Sequence, residues 1–113
     1  MITKEEKIKI YKTEEVNKTL LTKLEETKNL FLQLEDFLNN WQITFYTPDA
    51  QQYNPLDDNK EYLRIIFYNS KYDKSSNTYL FLEDLDENYD NLSTGIAQIF
   101  KAVIDKLESN KAE

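Results

Sequence analysis

Side-chain oxygens recur at alternate positions in one short stretch of this chain: Asp84, Asp86, Asn88 and Asp90. Calcium loops begin this way. An EF-hand loop takes ligands from positions 1, 3 and 5, needs Gly at 6 for its sharp turn, and closes with a bidentate Glu at 12. Counted from Asp84, position 6 is Tyr89 and position 12 is Gly95, and the residues before the loop read as strand where a helix is required. The pattern therefore points to a polar turn that ends a strand and caps the following helix, with Asp90 or Asn91 as the cap.

Acid–base work by paired carboxylates is the next chemistry these residues allow. Glu83, Asp84 or Glu87 would serve if one were desolvated and its neighbour were not. Neighbours along a strand point to opposite faces, which separates Glu83 from Asp84. The rest of the composition offers no help. The chain has no His and no Cys, hence no imidazole base, no thiolate and no zinc–thiolate site. Its single glycine, Gly95, does not build a phosphate loop. The expectation is a protein that is not an enzyme and has no cofactor and no metal.

Recognition by charge remains. The net charge of −7 is placed unevenly. Residues 1–28 carry seven Lys and six Glu, residues 29–100 carry twelve acids against four bases, and residues 101–113 carry three of each. An acidic middle argues against direct contact with nucleic acid or an anionic membrane. Dense fixed carboxylates instead imitate phosphate and attract a basic groove. The candidate surface is Asp57, Asp58, Glu61, Asp73, Glu83, Asp84, Asp86, Glu87 and Asp90, interleaved with Tyr68, Tyr72 and Tyr89, since Tyr offers apolar area with a polar tip. The partner expected is a basic protein, such as a nucleic-acid-binding protein or nuclease. Small phage or mobile-element antagonists of defence nucleases are similar in size and charge. The alternative is a structural or chaperone-like interaction protein that dimerises through its first helix.

That helix is read from apolar spacing. Leu24, Phe31 and Leu38 interleave with Leu20, Leu34 and Trp41, with Asn17 and Thr27 as polar interruptions. Thr13, followed by Glu14 and Glu15, is the favoured start, and the helix is expected to run to Asn40. At about 1.5 Å per residue it would be roughly 40 Å long, long enough to project and pair with a second copy. Leu20, Leu24, Phe31, Leu34 and Leu38 are the candidate seam of such a homodimer. Residues 1–12 read as a separate short helix or strand.

Trp41–Thr47 alternates as a strand, stopped by Pro48. Tyr62–Tyr68 is the clearest strand, with Leu63, Ile65 and Phe67 on one face and Tyr62, Arg64, Ile66 and Tyr68 on the other. Asn69–Asn77 reads as a long polar loop and Thr78–Glu83 as the returning strand. Leu92, Ile96, Ile99, Phe100, Val103, Ile104 and Leu107 form the stripe of a final amphipathic helix. The expected fold is α+β in the order α-β-β-β-α: a long N-terminal helix, a three-stranded antiparallel sheet and a C-terminal helix, in two layers and one domain spanning 1–113. No apolar run approaches the roughly 20 residues of a membrane span. The N-terminus is too charged for a secretory signal, so the expected location is cytoplasmic.

Overall fold

The computed structural model describes residues 7–33, 40–50 and 61–111, with side chains through residue 107. Its order is β1 (Ile8–Tyr11), α1 (Lys18–Leu32), β2 (Trp41–Tyr46), β3 (Tyr62–Asn69), β4 (Lys74–Phe81) and α2 (Leu92–Lys111), with 3-10 turns at Pro48–Ala50 and Leu82–Asp84. The fold is α+β, but its sheet has four strands in the order β1-β2-β3-β4 and is mixed. β1 runs parallel to β2, while β2–β3 and β3–β4 are antiparallel. A three-stranded antiparallel sheet is thus one strand short. Parallel neighbours need a crossover, and α1 supplies it between β1 and β2. Ile8 fills a core position opposite Ile43 and so draws the short N-terminal segment into the sheet.

Two further expectations are corrected. The helix α1 starts at Lys18, not Thr13. Asn17 is the cap: its backbone is extended, and its Oδ1 accepts from Thr19 N at 3.0 Å and Leu20 N at 3.2 Å. Thr13 is engaged elsewhere, its N–H and hydroxyl both donating to Asp49 Oδ2. α1 ends at Leu32, with Gln33 closing the last turn, so its 15 residues span only about 22 Å. The other correction is the hairpin. Its turn is residues 70–73, because β4 already begins at Lys74, paired with Asn69. Asn69 Oδ1 accepts from Tyr72 N at 3.0 Å, and Asp73 takes the left-handed conformation (φ 52°) that reverses the chain. Lys74 to Asn77 look like loop because they lie on an edge strand whose side chains stay largely in water.

Register sorts the sheet into two faces. The rows Ile8–Ile43–Phe67 and Ile10–Phe45–Ile65 face inward. Onto them α2 packs Leu92, Ile96 and Phe100, and α1 packs Leu20, Leu24 and Phe31, giving one two-layer core. Phe100 is its centre. Its ring stacks on Phe67 with 5.1 Å between centroids and meets Trp41 edge-on at 5.0 Å and Phe31 edge-on at 6.0 Å. Thr27, fully buried, bonds Lys23 O and Ser93 Oγ (2.6 Å) and joins the two helices.

Candidate functional site

The connection from β4 to α2 holds the densest acids. Its apolar side chains recur every three or four residues: Leu82, Leu85, Tyr89 and Leu92 all turn into the core. Glu83, Asp84, Asp86, Glu87 and Asp90 fall between these anchors and remain exposed. Backbone bonds from Leu85 N to Leu82 O, Tyr89 N to Asp86 O and Leu92 N to Tyr89 O hold the segment in successive turns. Tyr89 adopts the left-handed region (φ 59°), and its hydroxyl receives Asn17 Nδ2 from the start of α1 at 3.4 Å.

Neither expected cap behaves as a simple side-chain cap. Asn91 Oδ1 accepts from Asp86 N at 2.9 Å and so closes the acidic turn on itself, while its carbonyl accepts from Gly95 N. Asp90 pairs with Lys23 Nζ across to α1 at 2.9 Å. That hydrogen bond, then the charges of Asp90 and Glu26, hold the Lys23 ammonium above its ordinary range. Among the described residues, no group of three or more acids converges as a metal cage would require.

Other acids fall into two places. Glu61 is exposed at the start of β3, and its carbonyl accepts from Leu82 N, which sets it beside Glu83 and Asp84. Asp73, Tyr72 and Tyr68 lie at the hairpin end, where Tyr68 OH donates to Asp73 Oδ1 at 2.8 Å. That hydrogen bond, with some burial and the carboxylate charge, pushes the Tyr68 phenol up. The length of β4 separates this group from Glu83, roughly 24 Å at about 3.4 Å per residue. Glu61, Glu83, Asp84, Asp86, Glu87 and Asp90 are therefore at one end of the molecule, and Tyr68, Tyr72 and Asp73 at the other. Asp57 and Asp58 lie outside the described residues, as do Leu34 and Leu38. Leu20, Leu24 and Phe31 are buried in the chain's own core, so this part of the stripe is not an open seam for a second copy.

No protein-family model, curated protein or solved structure matches this chain.

Asp49 is an acid that charge counting did not single out as special. Partial burial pushes its carboxyl up, but hydrogen bonds from Thr47 and from the Thr13 N–H and hydroxyl outweigh that and hold it below the ordinary range. It is a structural acceptor that ties the chain after β1 to the turn after β2, and nothing in its sequence context marks it. The outer sheet face carries a row across all four strands, Tyr11–Tyr46–Arg64–Tyr79. Tyr11 stacks on Tyr46 at 5.0 Å, Arg64 lies 5.6 Å over the Tyr46 ring, and Arg64 Nε donates to Asn77 Oδ1. The chain's one arginine is thus engaged within its own sheet. An open groove of about 350 Å³ between the helices is lined by Thr27, Leu30, Phe31, Gln33, Ser93, Thr94 and Ala97, none of them titratable. No helix among the described residues is long and apolar enough to cross a membrane.

Proposed function

We propose that this protein acts by binding a basic protein through the acidic end of its sheet, without catalysing a reaction. The observation that supports the reading is the fixed outward presentation of Glu83, Asp84, Asp86, Glu87 and Asp90 on a segment anchored by Leu82, Leu85, Tyr89 and Leu92. Carboxylates held in place lose little freedom on binding, and their combined field steers a cationic partner. Glu61 extends the patch. The partner class is a nucleic-acid-binding protein or nuclease, whose groove is shaped for regularly spaced phosphates. In this reading the chain is an inhibitor that occupies the groove, of the kind phage and mobile elements direct against host defence. Asp73 belongs to the far end of the sheet and is left out of the patch.

The test is a binding titration of purified basic nucleic-acid-binding domains and nucleases against the immobilised chain at increasing salt. The expected result is an affinity that falls with salt and a several-fold slower association for Asp84→Asn, Asp86→Asn and Glu87→Gln combined. Binding indifferent both to salt and to these changes would sink the reading.

A further inference from the structure

α1 is longer than the strand beside it at the first edge of the sheet. Its 15 residues span about 22 Å, whereas the four residues of β1 span roughly 13 Å. Between α1 and the end of β1 lies an open groove of about 410 Å³. Ile10, Leu21 and Leu32 form its apolar part, and each is only half-buried. Lys12, Glu25, Lys28 and Asn29 supply its polar groups. Leu21, Glu25, Lys28 and Leu32 follow one another at steps of three or four residues, so one flank of α1 lines the groove. Lys12 comes from the opposite wall, just after β1.

Among the described residues, the side chains of Lys12, Glu25, Lys28 and Asn29 make no hydrogen bond or ion pair. Lys23, on the other flank of α1, is different: it pairs with Glu26 and Asp90. The groove thus presents two uncompensated ammonium groups, one from each wall, beside apolar surface. Both belong to residues 1–28, the part of this acidic chain in which lysines outnumber acids. We infer that the groove binds a small amphipathic monocarboxylate, with its chain on Ile10, Leu21 and Leu32 and its head between Lys12 and Lys28. Small-molecule sites are concave, of roughly 300–1,000 Å³, with apolar lining and a few placed polar groups, and this groove has that form. Glu25 sets the charge of the ligand. Two lysines against one glutamate leave a single positive charge in the lining, which one negative charge balances. A second would be repelled by Glu25, about one turn from Lys28. The inference is independent of the acidic-partner reading, since Asp90 reaches α1 at Lys23, on the flank away from the groove.

The experiment is a titration of the isotope-labelled full chain with sodium octanoate, below its micelle concentration, followed by backbone amide chemical shifts. Octanol, octylammonium and octyl phosphate carry the same chain on a different head and are titrated in parallel. Octanoate should give saturable shifts centred on Ile10, Lys12, Leu21, Lys28 and Leu32. It should bind roughly fivefold more tightly than octanol, because two partly exposed charge contacts each add a modest amount. Lys12→Gln/Lys28→Gln should bring octanoate down to the level of octanol and leave octanol unchanged. Glu25→Gln should raise the affinity for octyl phosphate more than that for octanoate. Shifts that never saturate or that lie elsewhere would overturn the inference. So would octylammonium or octyl phosphate binding wild type as tightly as octanoate does, or a double-lysine variant that binds octanoate like the wild type.

Discussion

Phe100→Ala is the perturbation that most directly tests the core. The ring is fully buried and touches Phe67, Trp41 and Phe31, which come from β3, β2 and α1. Removing a buried Phe side chain costs about 3–5 kcal/mol, and each well-placed aromatic pair adds about 0.5–1.5 kcal/mol beyond area alone. Three such pairs put the expected loss near the top of the range, about 4–5 kcal/mol. Domains of this size are stable by about 5–15 kcal/mol, so the variant loses a large share of its stability and should unfold at much lower urea. The assay is urea unfolding followed by fluorescence of Trp41, the chain's only tryptophan, which lies edge-on to Phe100. Phe100→Leu keeps apolar volume but loses the ring contacts, and should cost about 1–2 kcal/mol. Leu30→Ala is the contrast: Leu30 is a large apolar residue but 51% exposed, and its loss should be within about 0.5 kcal/mol. A Phe100→Ala loss below about 2 kcal/mol with an unchanged denaturant slope would refute the claim that three elements converge on this ring.

Two further outcomes follow from the caps and ties. Asn17→Ala removes the acceptor for Thr19 N and Leu20 N and should destabilise by about 1 kcal/mol in urea unfolding, whereas Thr13→Ala should leave α1 helicity by circular dichroism unchanged, since Thr13 does not cap it. Asp49→Asn should cost about 1 kcal/mol at neutral pH. The Asp49 carboxyl is held low in the fold, so its contribution is complete above the ordinary carboxylate range and is lost as pH falls through the folded-state value. The gap between Asp49→Asn and wild type should therefore narrow in acid, and a gap that stays constant with pH would count against Asp49 as an ionised acceptor.

Alternation and helical stripes made β2, β3 and α2 legible, because each buries one face and Ile43, Phe45, Leu63, Ile65, Phe67, Ile96 and Phe100 lie on those faces. What was not legible depended on distant partners. Ile8 and Ile10 between lysines alternate as a short strand does, which left residues 1–12 open between helix and strand; their place in the sheet is set by Ile43 and Phe45 across a helix. The start of α1 was misplaced at Thr13, because Thr13 is engaged by the distant Asp49 while Asn17, which had read only as a polar interruption of the stripe, caps the helix. The acids of residues 83–90 were legible as a group, because the inward spacing of Leu82, Leu85, Tyr89 and Leu92 is itself in the sequence. Their separation from Asp73 was not, since it follows from the hairpin register.

That register also decides what Lys74–Asn77 do. In a nine-residue polar loop these side chains would serve only solubility. A four-residue turn converts the same residues into the first half of an edge strand. The edge then places Lys74 at one end of β4 and the acidic patch at the other, roughly 24 Å apart by strand rise. The basic end of the hairpin is thus held away from the acids, so capture of a basic partner draws on the summed field of the whole patch and should fall steeply with ionic strength.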